Sequence, residues 1–266
     1  MTARLDSALP TRGLARSRTH AAALIAEGLV TVDGRPVVKA STQVSDDAQI
    51  EVAATDHYVS RAAHKLIAAL DEFDVEVAGR LALDMGASTG GFTQVLRERG
   101  AHPVIAVDVG HGQLSTAVAA DRGVISIEGV NVRYLTAESL AEASGIPALP
   151  QLITGDLSFI SLTHILPAAR ALAAPDADLV LLVKPQFEVG RTAVKGGLVT
   201  DAAARADAVA GVLWSAWDAG LGTCGVIASP IAGTHGNAEF IAHLAPARGS
   251  NPTEWLSTVN RLTGSP

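Results

Sequence analysis

The spacing of apolar and polar positions changes along this chain, and the changes mark its organisation. Near the N-terminus Leu5 and Leu9 share a helical face and Gly13 breaks the run. Ser17 then stands where it can cap a second helix that turns Ala21, Leu24 and Ile25 inward before Gly28 stops it. Short runs of alternating polarity follow at 30–32, 37–38 and 50–52, with Asp33-Gly34 as a hairpin turn between the first two. Residues 53–59, AATDHYV, are small and polar without a periodic stripe and read as a linker. A helix from about residue 60 turns Ala63, Leu66, Ile67 and Leu70 to one side, which leaves Lys65 free to point elsewhere.

Beyond that helix, strand and helix patterns alternate. Strands are predicted at 81–84, 104–108, 124–128, 152–153, 179–183, 225–228 and 237–242, and helices at about 91–99, 113–119, 162–173 and 200–219. Residues 179–183, LVLLV, form an unbroken apolar run, as suits a strand buried on both faces. The expected fold is α/β: a Rossmann-like sheet of seven strands with helices on both faces at 60–266, preceded by a small α+β domain at 1–53 and a linker at 54–59.

Charge sits at the ends of these strands. In an open α/β sheet, ligands bind outside the carboxyl ends of the strands, and Asp84, Asp108, Asp156 and Lys184 all fall there. The most informative stretch is LALDMGASTGGFTQV at 81–95. Its strand closes on Asp84, and Gly86, Ser88, Thr89, Gly90 and Gly91 then turn tightly into a helix that starts near Phe92. Glycines in such a turn leave room for a ligand against the backbone and the helix N-terminus. Neither a P-loop nor a G-x-G-x-x-G fingerprint is present, which disfavours phosphate ligands. An acid at the first strand end suits instead a cationic ligand such as the amino-acid part of S-adenosylmethionine, with Asp108 for the ribose hydroxyls. Glycine-rich turns are common in such sheets, and a charged strand end also serves a structural ion pair; the convergence of four charged ends is what favours a site.

Composition narrows the partners. With 20 Lys and Arg against 27 Asp and Glu the net charge is −7, which argues against a chain coated by nucleic acid but leaves room for a local basic face. Within residues 4–39, Arg12, Arg16, Arg18, Arg35 and Lys39 outnumber Asp6, Glu27 and Asp33. Taken alone, that polarity fits a solvated charged face better than an RNA-contacting one. The single cysteine, Cys224, excludes an internal disulfide and a cysteine metal cluster; in its apolar run it reads as a small buried residue in a reducing cytoplasm. With neither a secretory signal nor a convincing membrane span, the expectation is a soluble cytoplasmic protein without stable membrane association and without a metal.

The stretch RLDSALPTRGLARSRTHAAALIAEGLVTVDGRPV, from residue 4, resembles the RNA-binding module shared by the fourth ribosomal small-subunit protein, pseudouridine synthases and tyrosyl-tRNA synthetases. The resemblance implies that Arg4, Arg12, Arg16, Arg18 and Lys39 lie on or near an RNA-contacting surface. Further on, VSRAAHKL, GDLSFI, VKPQFE and HGNAEFI carry Lys65, Asp156, Lys184 and Glu239, which resemble residue by residue the Lys-Asp-Lys-Glu tetrad of the FtsJ-like RNA ribose 2′-O-methyltransferases. With LDMGASTGGFT and LVKPQFEVG in the same order, most of the chain resembles the TlyA family of ribosomal RNA cytidine 2′-O-methyltransferases, some of which bear the name haemolysin. That resemblance implies S-adenosylmethionine as methyl donor, ribosomal RNA within ribosomal subunits as substrate, and the tetrad as the catalytic group. A ribose 2′-hydroxyl is a weak acid, so its methylation needs a group that holds or removes the proton while the oxygen lines up with the donor methyl, and a lysine can do this. Two positions depart from the family pattern: the linker reads DHYVS where some members have Arg-Ala-Trp-Val, and Asn131 rather than an acid follows the third strand. Other classes would want other features. A membrane-damaging haemolysin needs an amphipathic or spanning segment, and a non-enzymatic RNA-binding ribosome assembly factor has no need of an intact tetrad.

Overall fold

The computed structural model describes residues 2–15, 17–26, 28–52, 57–190, 194, 196–233 and 236–265. The chain divides into two compact units, Met1–Tyr58 with Thr234–Gly236, and Val59–Gly233 with Asn237–Pro266.

In the first unit β1 (Thr2–Arg4) leads into α1 (Leu5–Thr11), followed by α2 (Arg18–Ala26), β2 (Val30–Val32), β3 (Arg35–Pro36), β4 (Gln43–Ser45) and β5 (Ile50–Val52). Ser17 Oγ accepts the backbone N–H of His20 at 3.1 Å, so the serine does cap α2. Leu5, Leu9, Ala21, Leu24, Ile25 and Val30 make the core, the same faces that the helical spacing picks out. β3-β2-β5 form one antiparallel sheet and β1 pairs with β4. The second hairpin strand lies at Arg35–Pro36 rather than at 37–38. Asp33 and Gly34 adopt φ of 51° and 73°, and this two-residue turn sets Val32 directly opposite Arg35, so pairing starts at once.

The second unit contains α3 (Ala62–Glu72), β6 (Ala82–Met85), α4 (Gly91–Glu98), β7 (Val104–Asp108), α5 (Thr116–Ala119), β8 (Val124–Glu128), α6 (Ala137–Ser144) and β9 (Leu152–Gly155). It continues through α7 (Leu166–Leu172), β10 (Asp178–Val183), α8 (Pro185–Glu188), α9 (Ala202–Asp218), β11 (Gly222–Ala228), β12 (Phe240–Ala245) and α10 (Leu256–Thr263). The seven-stranded sheet expected from the sequence has the order β11-β12-β10-β9-β6-β7-β8, and within it β12 runs antiparallel to both of its neighbours. Every residue of β10 is buried, as its apolar run requires.

The last strand begins at Phe240, not near 237. Asn237 is drawn into the preceding loop, where its side chain donates to the Gly197 carbonyl at 2.7 Å and accepts the Val199 N–H at 3.2 Å. β11 starts earlier than predicted, at Gly222, because a glycine there admits the close backbone of Arg248 and Gly249. α5 is shorter than 113–119, with Ser115 as its cap at 3.4 Å from the Val118 nitrogen. Cys224, on β11, is half-buried, and burial pushes its thiol pKa up.

Register decides what meets at the ligand edge. β6 and β9 are parallel with Asp84 opposite Thr154, so Asp156 follows directly from the strand end at Gly155. β10 and β12 are antiparallel with Val183 opposite Phe240, which brings Lys184, just after one strand, beside Glu239, just before the other.

Candidate active site

Lys65, Asp156, Lys184 and Glu239 are separated by up to 174 residues in the chain and converge in one cluster. Lys65 Nζ lies 2.7 Å from Glu239 Oε2 and 3.7 Å from Asp156 Oδ2, while Lys184 Nζ lies 2.6 Å from Asp156 Oδ1. The last contact is an ion pair without aligned donation; Lys184 donates instead to Ser158 Oγ at 2.8 Å. Lys65, Lys184 and Glu239 are 5 %, 8 % and 4 % exposed. Two ammonium groups and two carboxylates cancel, which is the condition under which buried charge is tolerated. α3 therefore turns Lys65 into the protein together with Ala63, Leu66, Ala69 and Leu70, contrary to the expectation that it points elsewhere, and Ile67 is only half-buried. Space for Glu239 depends on Gly233, where an added Cβ would fall on the Glu239 carboxylate.

Beside this cluster a cavity of about 550 Å³ opens over the strand ends, and Asp156 and Ser158 belong to its wall. Gly86, Ser88, Asp108 and Asn131 line it as well, together with apolar Val109, Val132, Leu157 and Ile165. Asp108 holds the glycine loop in shape: Oδ2 accepts the Ser88 N–H at 2.8 Å and Oδ1 the Gly110 N–H at 2.7 Å. Each oxygen keeps a lone pair for a ligand hydroxyl. The N–H groups of Gly86, Ala87 and Gly90 donate to the carbonyls of Val107, Val107 and Ala87. The loop thus offers a shaped wall rather than an anion hole, in keeping with the missing phosphate fingerprints.

Some of the residues expected at the cofactor do not line this cavity. Asp84 is fully buried beneath the loop, away from the cavity wall. It accepts hydroxyl hydrogen bonds from Thr93 on α4 at 2.6 Å and from Thr154 on β9 at 3.1 Å. Burial is the main cause that raises its pKa to about 6, outweighing the two threonines. Thr89, Gly90, Gly91 and Phe92 likewise stand outside the cavity wall among the described residues. Gly90, at φ 96°, caps α4, and a side chain there would meet Leu114 and Val118; Gly91 packs on Ser60, and Phe92 is buried. These residues give the turn its path, and Gly86 and Ser88 line the cavity.

The sequence reading passed over three residues. Ser158 holds Lys184, Phe159 is 92 % exposed beside the cluster with φ 64°, and Glu188 fastens the segment between them and α7. Only the motif strings GDLSFI and VKPQFE could have flagged them, since none lies on a periodic face.

In the N-terminal unit, Arg4 and Arg18 share one carboxylate. Arg4 contacts both oxygens of Asp6 at 3.1 and 3.0 Å, and Arg18 contacts Oδ2 at 3.1 and 3.0 Å. These guanidiniums, Arg4's hydrogen bond first, hold the Asp6 pKa down at about 2, yet both side chains stay largely open, 45 % and 61 % exposed. Arg12 is occupied differently: it donates to the carbonyls of Ala48, Ser45 and Asp46 at 2.6, 2.8 and 3.2 Å, latching α1 to the β4–β5 turn. Lys39 is exposed, and Arg16 lies outside the described residues.

The sheet, its glycine loop and the cavity over its strand ends define an S-adenosylmethionine-type methyltransferase fold, and the profile of FtsJ-like methyltransferases matches residues 58–245. The S4 domain profile matches residues 3–50. The chain is similar to the 16S/23S rRNA (cytidine-2′-O)-methyltransferase TlyA of Mycobacterium tuberculosis, 48% identical over 91% of this chain and 89% of that one. It is also 38% identical to Hemolysin A of Brachyspira hyodysenteriae, over 90% and 98% of the two chains. A solved structure from Streptococcus thermophilus that carries a hemolysin name superposes with a TM-score of 0.76 at 35% identity, covering 99% of this chain and 96% of that one. This chain belongs to the TlyA family of FtsJ-like methyltransferases, and it is a methyltransferase with an S4 domain at its N-terminus. No helix among the described residues is long and apolar enough to cross a membrane, and no cluster of His, Cys, Asp or Glu among them could hold a metal ion.

Proposed function

We propose that this protein transfers the methyl group of S-adenosylmethionine to the 2′-hydroxyl of a cytidine ribose in ribosomal RNA, with ribosomal subunits as its substrate. The observation that carries the proposal is the position of Lys184: its ammonium is fixed by Asp156 and Ser158, and both of those residues wall the cavity. The residues present fit the donor. Asp108 has acceptor capacity for ribose hydroxyls, and Val109, Val130 and Val132 offer an apolar wall for a purine. Bound there, the sulfonium supplies an electrophilic methyl whose transfer neutralises its own charge, so the protein's task is orientation more than charge stabilisation.

Lys184 can hold the 2′-oxygen by donating to it; it takes the 2′-hydroxyl proton only as the neutral amine, after its own ammonium proton has left to water, and Asp156 then balances the charge the nitrogen regains. Lys65, bound to Glu239, fixes the second oxygen of Asp156 from below and keeps that carboxylate aimed. Phe159, exposed beside Lys184, suits stacking on an unpaired base, the usual way in which single-stranded RNA is gripped. The S4 unit, with Arg4, Arg18 and Lys39 exposed, would anchor the ribosomal RNA through its phosphates. The relatives named above as rRNA methyltransferases support the substrate class.

The test is transfer of labelled methyl from S-adenosylmethionine to purified small and large ribosomal subunits by the full-length protein, followed by mapping of 2′-O-methylated nucleotides. Label in a cytidine ribose is the expected result. Label only on a base, or none on either subunit, would overturn the reading.

A further inference from the structure

The loop from Asp156 to Leu162 is held at both ends by the turn that follows β10, and the grip at the far end is a carboxylate with no part in the chemistry described above. Glu188, the last residue of α8, accepts the backbone N–H of Leu162 on Oε1 at 2.9 Å and the hydroxyl of Ser161 on Oε2. On the same turn Lys184 holds Ser158, and the ring of Phe187 meets that of Phe159 at a centroid distance of 5.3 Å. Contacts therefore flank Phe159 on both sides, while Phe159 itself is 92 % exposed. Its φ of 64° lies in the left-handed region, where a bulky residue rests only if its surroundings over-determine it. With the ring so exposed, its contact with Phe187 and the anchors at Ser158 and at Ser161-Leu162 are the contacts among the described residues that hold this conformation.

We infer that Glu188 is a positioning residue for the RNA substrate, fixing the far end of this loop so that Phe159 is presented in its binding orientation before the target nucleotide arrives. The inference rests on the RNA reading above. A loop ordered in advance removes part of the entropic cost of binding, so its loosening falls on substrate capture rather than on the methyl-transfer step. Lys184 and Asp156 meet at the near end of the loop, apart from the contacts that Glu188 makes with Ser161 and Leu162.

The experiment is a double-mutant cycle in the full-length protein, read as KM for ribosomal subunits and as single-turnover rate. Glu188→Ala, which removes both contacts, is expected to raise KM by about tenfold or more, with a near-normal single-turnover rate at saturation. Glu188→Gln, whose amide can still accept from Leu162 and meet Ser161, should recover most of that loss. In a Phe159→Ala background, Glu188→Ala should add little, because the ring it positions is gone. Losses that multiply in the double variant, or an unchanged KM for Glu188→Ala, would overturn the inference. If Glu188→Ala does not fold, Glu188→Asp, which keeps the charge but is one methylene too short for both contacts, is read in the same cycle by the same criteria. Failure of the wild-type protein to methylate either subunit would instead sink the function proposed above.

Discussion

Lys65 and Lys184 share a cluster but differ in what their nitrogens face. Lys65 is enclosed between Glu239 and Asp156, whereas Lys184 donates to Ser158 in the cavity wall. Lys184→Ala should therefore leave donor affinity near normal, since Asp108, Gly86 and Ser88 shape that cavity, while methyl transfer falls about a hundredfold or more. Lys184→Arg should not rescue, because a planar guanidinium cannot replace a point charge held between Ser158 and Asp156 and does not give up its proton. Calorimetric titration of the donor and single-turnover transfer to subunits check the two halves. The four residues were legible in the sequence as motif members, Asp156 and Lys184 also as charged strand ends. The depth at which Lys65 lies was not, because a helical wheel that sorts side chains by polarity places a lysine outside, and only a partner 174 residues away makes its burial tolerable.

At the scale of elements, one buried carboxylate ties three of them together. Asp84, one residue before the end of β6, joins that strand to α4 through Thr93 and to β9 through Thr154, just before the glycine loop. Its folded pKa of about 6 exceeds the value of about 3.9 expected in the unfolded chain. The folded state thus binds the proton more tightly, so this group favours folding most below about pH 4, and that contribution fades as pH rises through about 6. Asp84→Asn, which keeps the shape and hydrogen-bonding capacity, should raise the melting temperature at pH 8 and flatten its pH dependence between about 4 and 6. Melting curves across that range would refute the assignment if the slope persisted. At this scale the sequence showed which segments were strands through their apolar runs. It misread where β11 and β12 begin, because a glycine that admits a neighbouring backbone and an asparagine bonded across a loop look locally like a breaker and a strand start.

For the molecule as a whole, the basic residues of the first unit divide by task. Arg12 is consumed by three backbone carbonyls, so Arg12→Ala should lower the unit's thermal stability by several degrees with a modest effect on the salt dependence of RNA binding. Arg35 and Lys39 are exposed, and replacing both by Ala should leave melting unchanged while reducing the slope of log affinity against log salt by about one to two. Filter binding to ribosomal RNA over a salt series separates the cases; equal slopes for wild type and the exposed pair would remove these residues from the interface. Arginines counted in a stretch of sequence look alike, and the ones bound to carbonyls become distinguishable only when α1 is seen against the β4–β5 turn.

Local pattern was enough to determine the alternation of strands and helices, the glycine turn after Asp84, the cap at Ser17 and the charged ends that face one edge of the sheet. Each of these depends on residues close together in the chain, where periodicity and turn chemistry act directly. Tertiary structure alone decided that Asp84 supports the loop from below while Asp108 faces the cavity, that Lys65 is buried, and that Glu188 reaches Leu162. The register of β6 on β9 sets Asp84 opposite Thr154, and that of β10 on β12 brings Lys184 beside Glu239, which holds Lys65; these pair residues that no local spacing connects.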